Sequence, residues 1–152
     1  RGSILSTFVE QSKRGYINIT DERMTRFNIS MKDAVQMVDW VLRKSIGGEI
    51  FVPKLKSFRV IDFAKTLCSK CKIKKIGIRP GEKIHEELIS KFDSEDTIDI
   101  GKYYVILSKI KNDTIKSFYK KKFKKKSFKQ NSSYNSFDNQ NYLSLRQISK
   151  LI

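Results

Sequence analysis

Short apolar runs of four to six residues alternate along this chain with longer stretches whose apolar residues recur at helical spacing, and no other feature constrains the fold as strongly. Tyr16–Ile19, residues 26–29, Glu49–Pro53, Ile73–Ile78 and Tyr103–Leu107 read as strands. Residues 3–13 read as a helix with Ile4, Leu5, Phe8 and Val9 on one face and Gly15 just past the end. Ser30 opens a second helix with Asp33 three residues on, an approximate capping box. Ala34, Val35, Val38, Val41 and Leu42 form its inward stripe as far as Gly47-Gly48. Ser57 is expected to cap a third helix reaching about Lys70, with Val60, Ile61, Ala64 and Leu67 inward. Glu82–Ser90 reads as a fourth, after the turn Arg79-Pro80-Gly81. Residues 109–141 are Lys-, Ser- and Asn-rich and read as irregular. Ser144 and Gln147 then form a capping box before Leu145, Ile148 and Leu151. Strands alternating with helices put the chain in the α/β class. Glu49–Pro53 reads as buried on both faces, and with so few strands the sheet is expected to continue in residues outside this chain.

With 152 residues, 39% of them apolar, the chain can build one core. No apolar run approaches the ~18 residues that cross a bilayer, and no secretory signal is visible. Two cysteines exclude a disulfide-stapled secreted scaffold and make a reducing cytoplasm the expectation. The first residue is Arg1 rather than Met, so a fragment is expected. The 32 basic and 16 acidic residues are unevenly placed: residues 1–108 hold 20 and 14, residues 109–152 hold 12 and 2. That field attracts nucleic acid, anionic lipid or anionic small molecules without choosing among them.

Several motifs offer chemistry. Cys68-x-x-Cys71 lacks the second pair a structural zinc needs and sits at a helix end, so the two read as incidental thiols. His85-Glu86-Glu87 has Ile89 where a zinc-protease helix needs its second His, so His85 reads as a packing or hydrogen-bonding residue. The run Lys120–Lys126 around Phe123 has the basic-plus-aromatic look of single-strand binders, but it lacks Arg, Gly spacing and a recognisable module. Arginine-bearing turns are more informative. Arg1-Gly2-Ser3, Arg23-Met24-Thr25-Arg26 and Arg79-Pro80-Gly81-Glu82 present forks suited to phosphate oxygens, with Glu82 placed for sugar hydroxyls. Spacing alone leaves equal weight for surface pairing of these arginines with nearby carboxylates.

Four ordered segments carry a resemblance: R-G-S at 1–3, D-E-R-M-T-R-F at 21–27, G-G-E-I-F-V-P-K at 47–54 and I-G-I-R-P-G-E-K-I-H-E-E-L-I at 76–89. They resemble the C-terminal part of inverting UDP-N-acetylglucosamine 4,6-dehydratases, CapD-like polysaccharide-biosynthesis proteins of the extended short-chain dehydrogenase/reductase superfamily. Ser133-Tyr134-Asn135-Ser136 and Asn141-Tyr142-Leu143-Ser144 are similar to the end of that family, whereas Asn28 stands where it often has Trp.

The resemblance implies the C-terminal portion of an extended short-chain dehydrogenase/reductase, a Rossmann-like fold lacking most of its NADP-binding half. Residues 1–108 would be the nucleotide-sugar-binding portion, 109–133 a Lys-rich connection and 134–152 a tail with a short helix. Intact members use NADP, a Tyr-x-x-x-Lys pair and an Asp-Lys pair. This chain has no Gly-rich cofactor turn, and no Tyr is followed four residues later by Lys in a suitable helix. No catalytic, cofactor-binding or metal-binding residue is therefore expected here. By the resemblance Arg26 and Arg79 approach the UDP diphosphate and Glu82 the uridine ribose. Arg1, Gly2 and Ser3 lie where the chain passes the substrate, with Met24 and Thr25 as weaker candidates. The expected partners are a UDP-sugar and, for the intact protein, copies of itself. The rivals are a UDP-sugar epimerase of the same fold and, with less support, a nucleic-acid-binding module on the Lys run.

Overall fold

A computed structural model describes residues 4–108, 112–123 and 126–152. Its elements begin α1 (Ile4–Ser12), β1 (Tyr16–Ile19), β2 (Thr25–Asn28), α2 (Met31–Lys44), β3 (Ile50–Pro53), β4 (Lys56–Arg59), α3 (Val60–Leu67) and β5 (Lys72–Lys75). They continue β6 (Glu87–Ile89), β7 (Thr97–Asp99), β8 (Tyr103–Ile106), α4 (Asn112–Lys122), β9 (Lys126–Ser127), β10 (Tyr134–Asn135) and α5 (Leu145–Ser149). The chain forms two compact units. The first comprises the chain up to Asn28, Lys56–Glu86 and Ser136–Ile152; the second comprises Ile29–Leu55 and Glu87–Asn135.

In the first unit α1 ends where expected, because Gly15 takes φ +76° and donates its N–H to Ser12 O. The chain then enters β1, where Ile17 and Ile19 are buried and Tyr16 and Asn18 half-buried, the period of two that a strand imposes. β1 pairs in parallel with β5, Tyr16 beside Lys72 through Ile19 beside Lys75. β2 pairs antiparallel with β4, Thr25 opposite Arg59. Phe8, Ile17, Ile19, Phe58, Phe63 and Ile148 meet in one core beneath α1, α3 and α5. The Ser144–Gln147 capping box forms, side chain to backbone in both directions.

Four expectations change in this unit. β4 occupies Lys56–Arg59, so the third helix starts at Val60 rather than Ser57; pairing with β2 outweighs the local cap. The strand expected over 73–78 is Lys72–Lys75. The expected helix at Glu82–Ser90 is absent: residues 80–86 turn and extend, with Ile84 O accepting the Thr25 N–H and Glu86 O the Ser136 N–H. The thiols are not free, since a turn donating Cys71 N–H to Cys68 O brings the Cα atoms to 5.3 Å and the two are joined as a disulfide.

The second unit holds an antiparallel sheet ordered β3-β8-β7-β9 and the pair β6-β10. Its core gathers Ile98, Tyr103, Val105, Ile115 and Tyr119, with Trp40, Phe51 and Phe123 against it. Trp40 is the hub, its ring 4.8 Å from Tyr103 and 5.7 Å from Phe51. β3 is an edge strand paired with β8, so it is not buried on both faces and it finds its partner within this chain; Ile50 is 62% exposed. Residues 109–141 are not irregular throughout, because α4, β9 and β10 lie there. Part of the stripe expected to face inward on α2 faces out instead: Val35, Val38 and Leu42 are exposed, Ala34 and Val41 are half-buried, and Met37 and Trp40 contact the core. Ser30 nonetheless caps α2, its Oγ accepting from Asp33 N–H. Among the described residues no helix is long and apolar enough to cross a membrane.

Candidate functional site

A cleft of about 340 Å³ opens in the first unit where β1 runs out beside α1. Thr7 and Gln11 of α1, Asn18 and Thr20 around the end of β1, and Met24, Arg26, Ile76, Arg79 and Glu82 line it. Met24, Arg26, Arg79 and Glu82, expected from sequence as substrate contacts, are thus brought together from segments more than fifty residues apart. Arg1, Gly2 and Ser3 lie outside the described residues. Thr25 does not line the cleft, because along β2 neighbouring side chains point to opposite faces.

Arg26 is held before any ligand arrives. Its Nη1 donates to Thr25 O at 2.7 Å and Ile84 O at 3.0 Å, and its Nε lies 3.7 Å from Glu86 Oε1. Glu86 is fixed in turn, since its Oε2 accepts the Phe27 N–H at 2.9 Å. The guanidinium keeps donors to spare on Nη2. Arg79 and Glu82 bound a turn in which Glu82 N–H donates to Arg79 O at 3.0 Å. Pro80 occupies its second position and Gly81, at φ +80°, its third, where a side chain would be strained. The Glu82 carboxylate clamps this turn, accepting from Arg79 N–H at 3.3 Å and from Thr20 Oγ1 at 3.1 Å. The Arg79 side chain is exposed and carries no ion pair among the described residues. The turn is as expected, but no helix N-terminus follows it.

Arg23 takes the other role weighed for these arginines. It grips Asp21 with Nε and Nη2 at 3.0 and 2.8 Å, and this hydrogen bonding holds the Asp21 carboxyl far below the usual carboxylate range. Two cationic forks, one anchored and one free, with a carboxylate beside them, suit an anionic ligand that also carries hydroxyls.

On the other face of β2, Thr25 Oγ1 lies 2.8 Å from His85 Nδ1 and 2.7 Å from Ser136 Oγ. Ser136 Oγ accepts the Glu86 N–H at 2.9 Å, and the His85 ring lies against Phe137. His85 is therefore a hydrogen-bonding residue. Burial lowers its pKa, with Arg26 and Arg23 acting the same way against Asp138. Glu86 and Ser136, which position Arg26 and β2, stand in motifs quoted from the sequence but carry no role there. Ser136 is 111 residues from Thr25, and no local pattern signals that pairing.

The residues present do not fit NADP. A pyrophosphate site on this class of fold needs a Gly-rich turn leading from a strand into a helix N-terminus. β1 leads instead into Thr20-Asp21-Glu22, and Gly77 and Gly81 after β5 lead into no helix. No hydride step is assigned to this chain.

Phe118, Tyr119 and Phe123, interleaved with the Lys run, pack in or against the core of the second unit. They offer no exposed rings for base stacking.

The family model described as polysaccharide biosynthesis protein matches residues 1–108. Over 113 residues the chain is 43% identical to a UDP-N-acetylglucosamine 4,6-dehydratase (inverting) of Campylobacter jejuni, covering 73% of this chain and 34% of that protein. Over 111 residues it is 40% identical to a UDP-glucose 4-epimerase of Rickettsia canadensis, covering 70% and 33%. The chain thus spans about a third of the length of the curated relatives it matches. Among solved structures it is similar to Pen from Bacillus thuringiensis, with a TM-score of 0.80 and 26% identity over all of this chain and 45% of the other. The fold is the expected partial extended short-chain dehydrogenase/reductase, and the chain belongs to the CapD-like polysaccharide biosynthesis protein family.

Proposed function

We propose that this chain is the substrate-binding C-terminal part of a 5-inverting UDP-N-acetylglucosamine 4,6-dehydratase, working in the cytoplasm on a nucleotide sugar. The observation that carries this reading is the cleft in which Arg26 and Arg79 converge beside Glu82. Arg79, on its Pro80-Gly81 turn, is the fork that takes the diphosphate; Arg26, braced by two carbonyls and Glu86, supplies the second cation. Glu82 faces the ribose, and Met24 provides an apolar wall. Residues 1–108 carry this site, 109–133 connect, and 134–152 form the tail. By itself the chain is inactive, because it lacks a cofactor turn and the Tyr-x-x-x-Lys pair. NADP and the proton-transfer groups belong to the remainder of the intact protein. A UDP-sugar epimerase is the second reading, favoured by the 40% identity to a UDP-glucose 4-epimerase.

The test is UDP binding by calorimetry to the 152-residue chain. Arg79→Ala removes a charge-assisted but exposed contact and should weaken UDP by about 1–1.5 kcal/mol, roughly tenfold, with Lys recovering only part. Exchanging Lys121 and Lys122 for Gln should matter only at low salt. Unchanged affinity in Arg79→Ala, or a greater loss in the Lys variants at high salt, would refute the site.

A further inference from the structure

Cys68 and Cys71 are joined across the turn between α3 and β5, and both are half-buried, with Ser69 and Lys70 exposed between them. The bridge spans a sequence separation of 3, too short to take much freedom from the unfolded chain. The backbone holds this turn without it. Cys68 N–H donates to Ala64 O at 3.1 Å, Cys71 N–H to Cys68 O at 3.3 Å and Lys72 N–H to Gly15 O at 3.0 Å. The reduced pair is accommodated as well. Cys71 Sγ lies 3.6 Å from Ser12 O at the end of α1, so a thiol there has an acceptor waiting, whereas the bridged sulfur has no hydrogen to donate.

The charges around the bridge select a co-reactant. Residues 64–75 hold Lys65, Lys70, Lys72, Lys74 and Lys75 and no carboxylate, and all five lysines are exposed. Cations so placed favour thiolate at the sulfurs and draw in an anion. Independently of the nucleotide-sugar reading, we propose that Cys68 and Cys71 are a reversible thiol–disulfide exchange site whose co-reactant is a small anionic thiol. Cys68 caps the C-terminus of α3, where the helix dipole disfavours a thiolate, while Cys71 stands between Lys70 and Lys72. Attack therefore falls on Cys68 Sγ. The S–S bond breaks as the incoming sulfur bonds to Cys68, and Cys71 leaves as the thiolate, takes up a proton and donates it to Ser12 O. A second small thiol then attacks the bound thiol's sulfur, releasing the small disulfide and Cys68, which is protonated in turn. Two small thiols give up two electrons and two protons, and the cysteine pair gains them.

The test equilibrates the 152-residue chain in glutathione buffers of graded thiol-to-disulfide ratio, caps free thiols with N-ethylmaleimide and weighs the product. The pair should pass from bridged to doubly capped within that range, with circular dichroism unchanged. Given glutathione disulfide, Cys71→Ser should retain a glutathione on Cys68, and the wild type, which keeps the resolving thiol, should not. Lys70→Glu with Lys72→Glu should slow reduction by glutathione at least about threefold more than reduction by uncharged 2-mercaptoethanol, and salt should close that gap. A bridge that stays closed across the range, or a pair that glutathione disulfide does not close, overturns the proposal. Unfolding on reduction, a Cys71→Ser chain without adduct, or equal slowing with both thiols overturns it too.

Discussion

Replacing Tyr119 with Phe tests how the second unit is held together. Tyr119 is fully buried, and its hydroxyl donates to Glu49 Oε1 at 2.6 Å. Burial would push the Glu49 carboxyl up. The Tyr119 hydroxyl and the backbone N–H groups of Ile46, Glu49 and Gly47 outweigh this and hold it below its ordinary value of 4.5. Burial, then the bond to Glu49, pushes the Tyr119 phenol far up, so it remains a donor at neutral pH. Phenylalanine keeps the ring contacts with Phe51, Phe118 and Phe123 and removes only the donor. A hydrogen bond to a charged acceptor contributes about 1.5–3 kcal/mol when dry; Glu49 is half-buried, so the expected loss is about 1–2 kcal/mol at pH 7. A carboxyl whose folded pKa is depressed contributes stability above its unfolded pKa and loses it as pH falls through the folded value. The difference between wild type and variant should therefore shrink as pH falls below the ordinary carboxyl value of 4.5. Trp40 is the sole tryptophan and packs on Phe51, Tyr103 and Phe123, so its emission during urea unfolding reports this unit. Equal midpoints at pH 7, or a difference that grows toward low pH, would refute the reasoning.

Ser136→Ala leaves the Glu86 N–H without its acceptor and should cost the first unit about 1–3 kcal/mol. Hydrogen exchange should quicken at Ser57 and Leu143, whose N–H groups bond Asn141 O and Ser57 O; unchanged protection there would show that Ser136 does not seat the tail. Arg23→Ala should return the Asp21 carboxyl toward the ordinary carboxylate range in an NMR titration, so its acid-sensitive contribution is lost at higher pH than in wild type. UDP affinity should not change in that variant, because neither residue lines the cleft.

What the sequence determined by itself is what a few neighbouring residues decide. The Ser30 and Ser144 caps, the end of α1 at Gly15, the alternation of β1 and the Arg79-Pro80-Gly81 turn each depend on contacts within about four positions. The Arg26 and Arg79 motifs were legible for the same reason, as compact strings that resemble a family. Tertiary structure decided the rest, because the partners are distant. Glu82–Ser90 has a helical composition, yet its backbone groups are taken by Thr25 and Ser136 and, within β6, by β10. Ser57 is a good cap placed in a strand because β2 lies beside it. α2 is amphipathic, and its periodicity points to the stripe of Val35, Val38 and Leu42, yet in this chain Met37 and Trp40 make the contact with the second core while Met31, Val35, Val38 and Leu42 lie in water; local spacing marks the apolar stripe and not what lies against it. Arg23 and Arg26 are alike in sequence, and one pairs with Asp21 while the other lines the cleft. The difference lies in which carboxylate and which carbonyls the folded chain brings within reach, a choice made by residues up to sixty positions away.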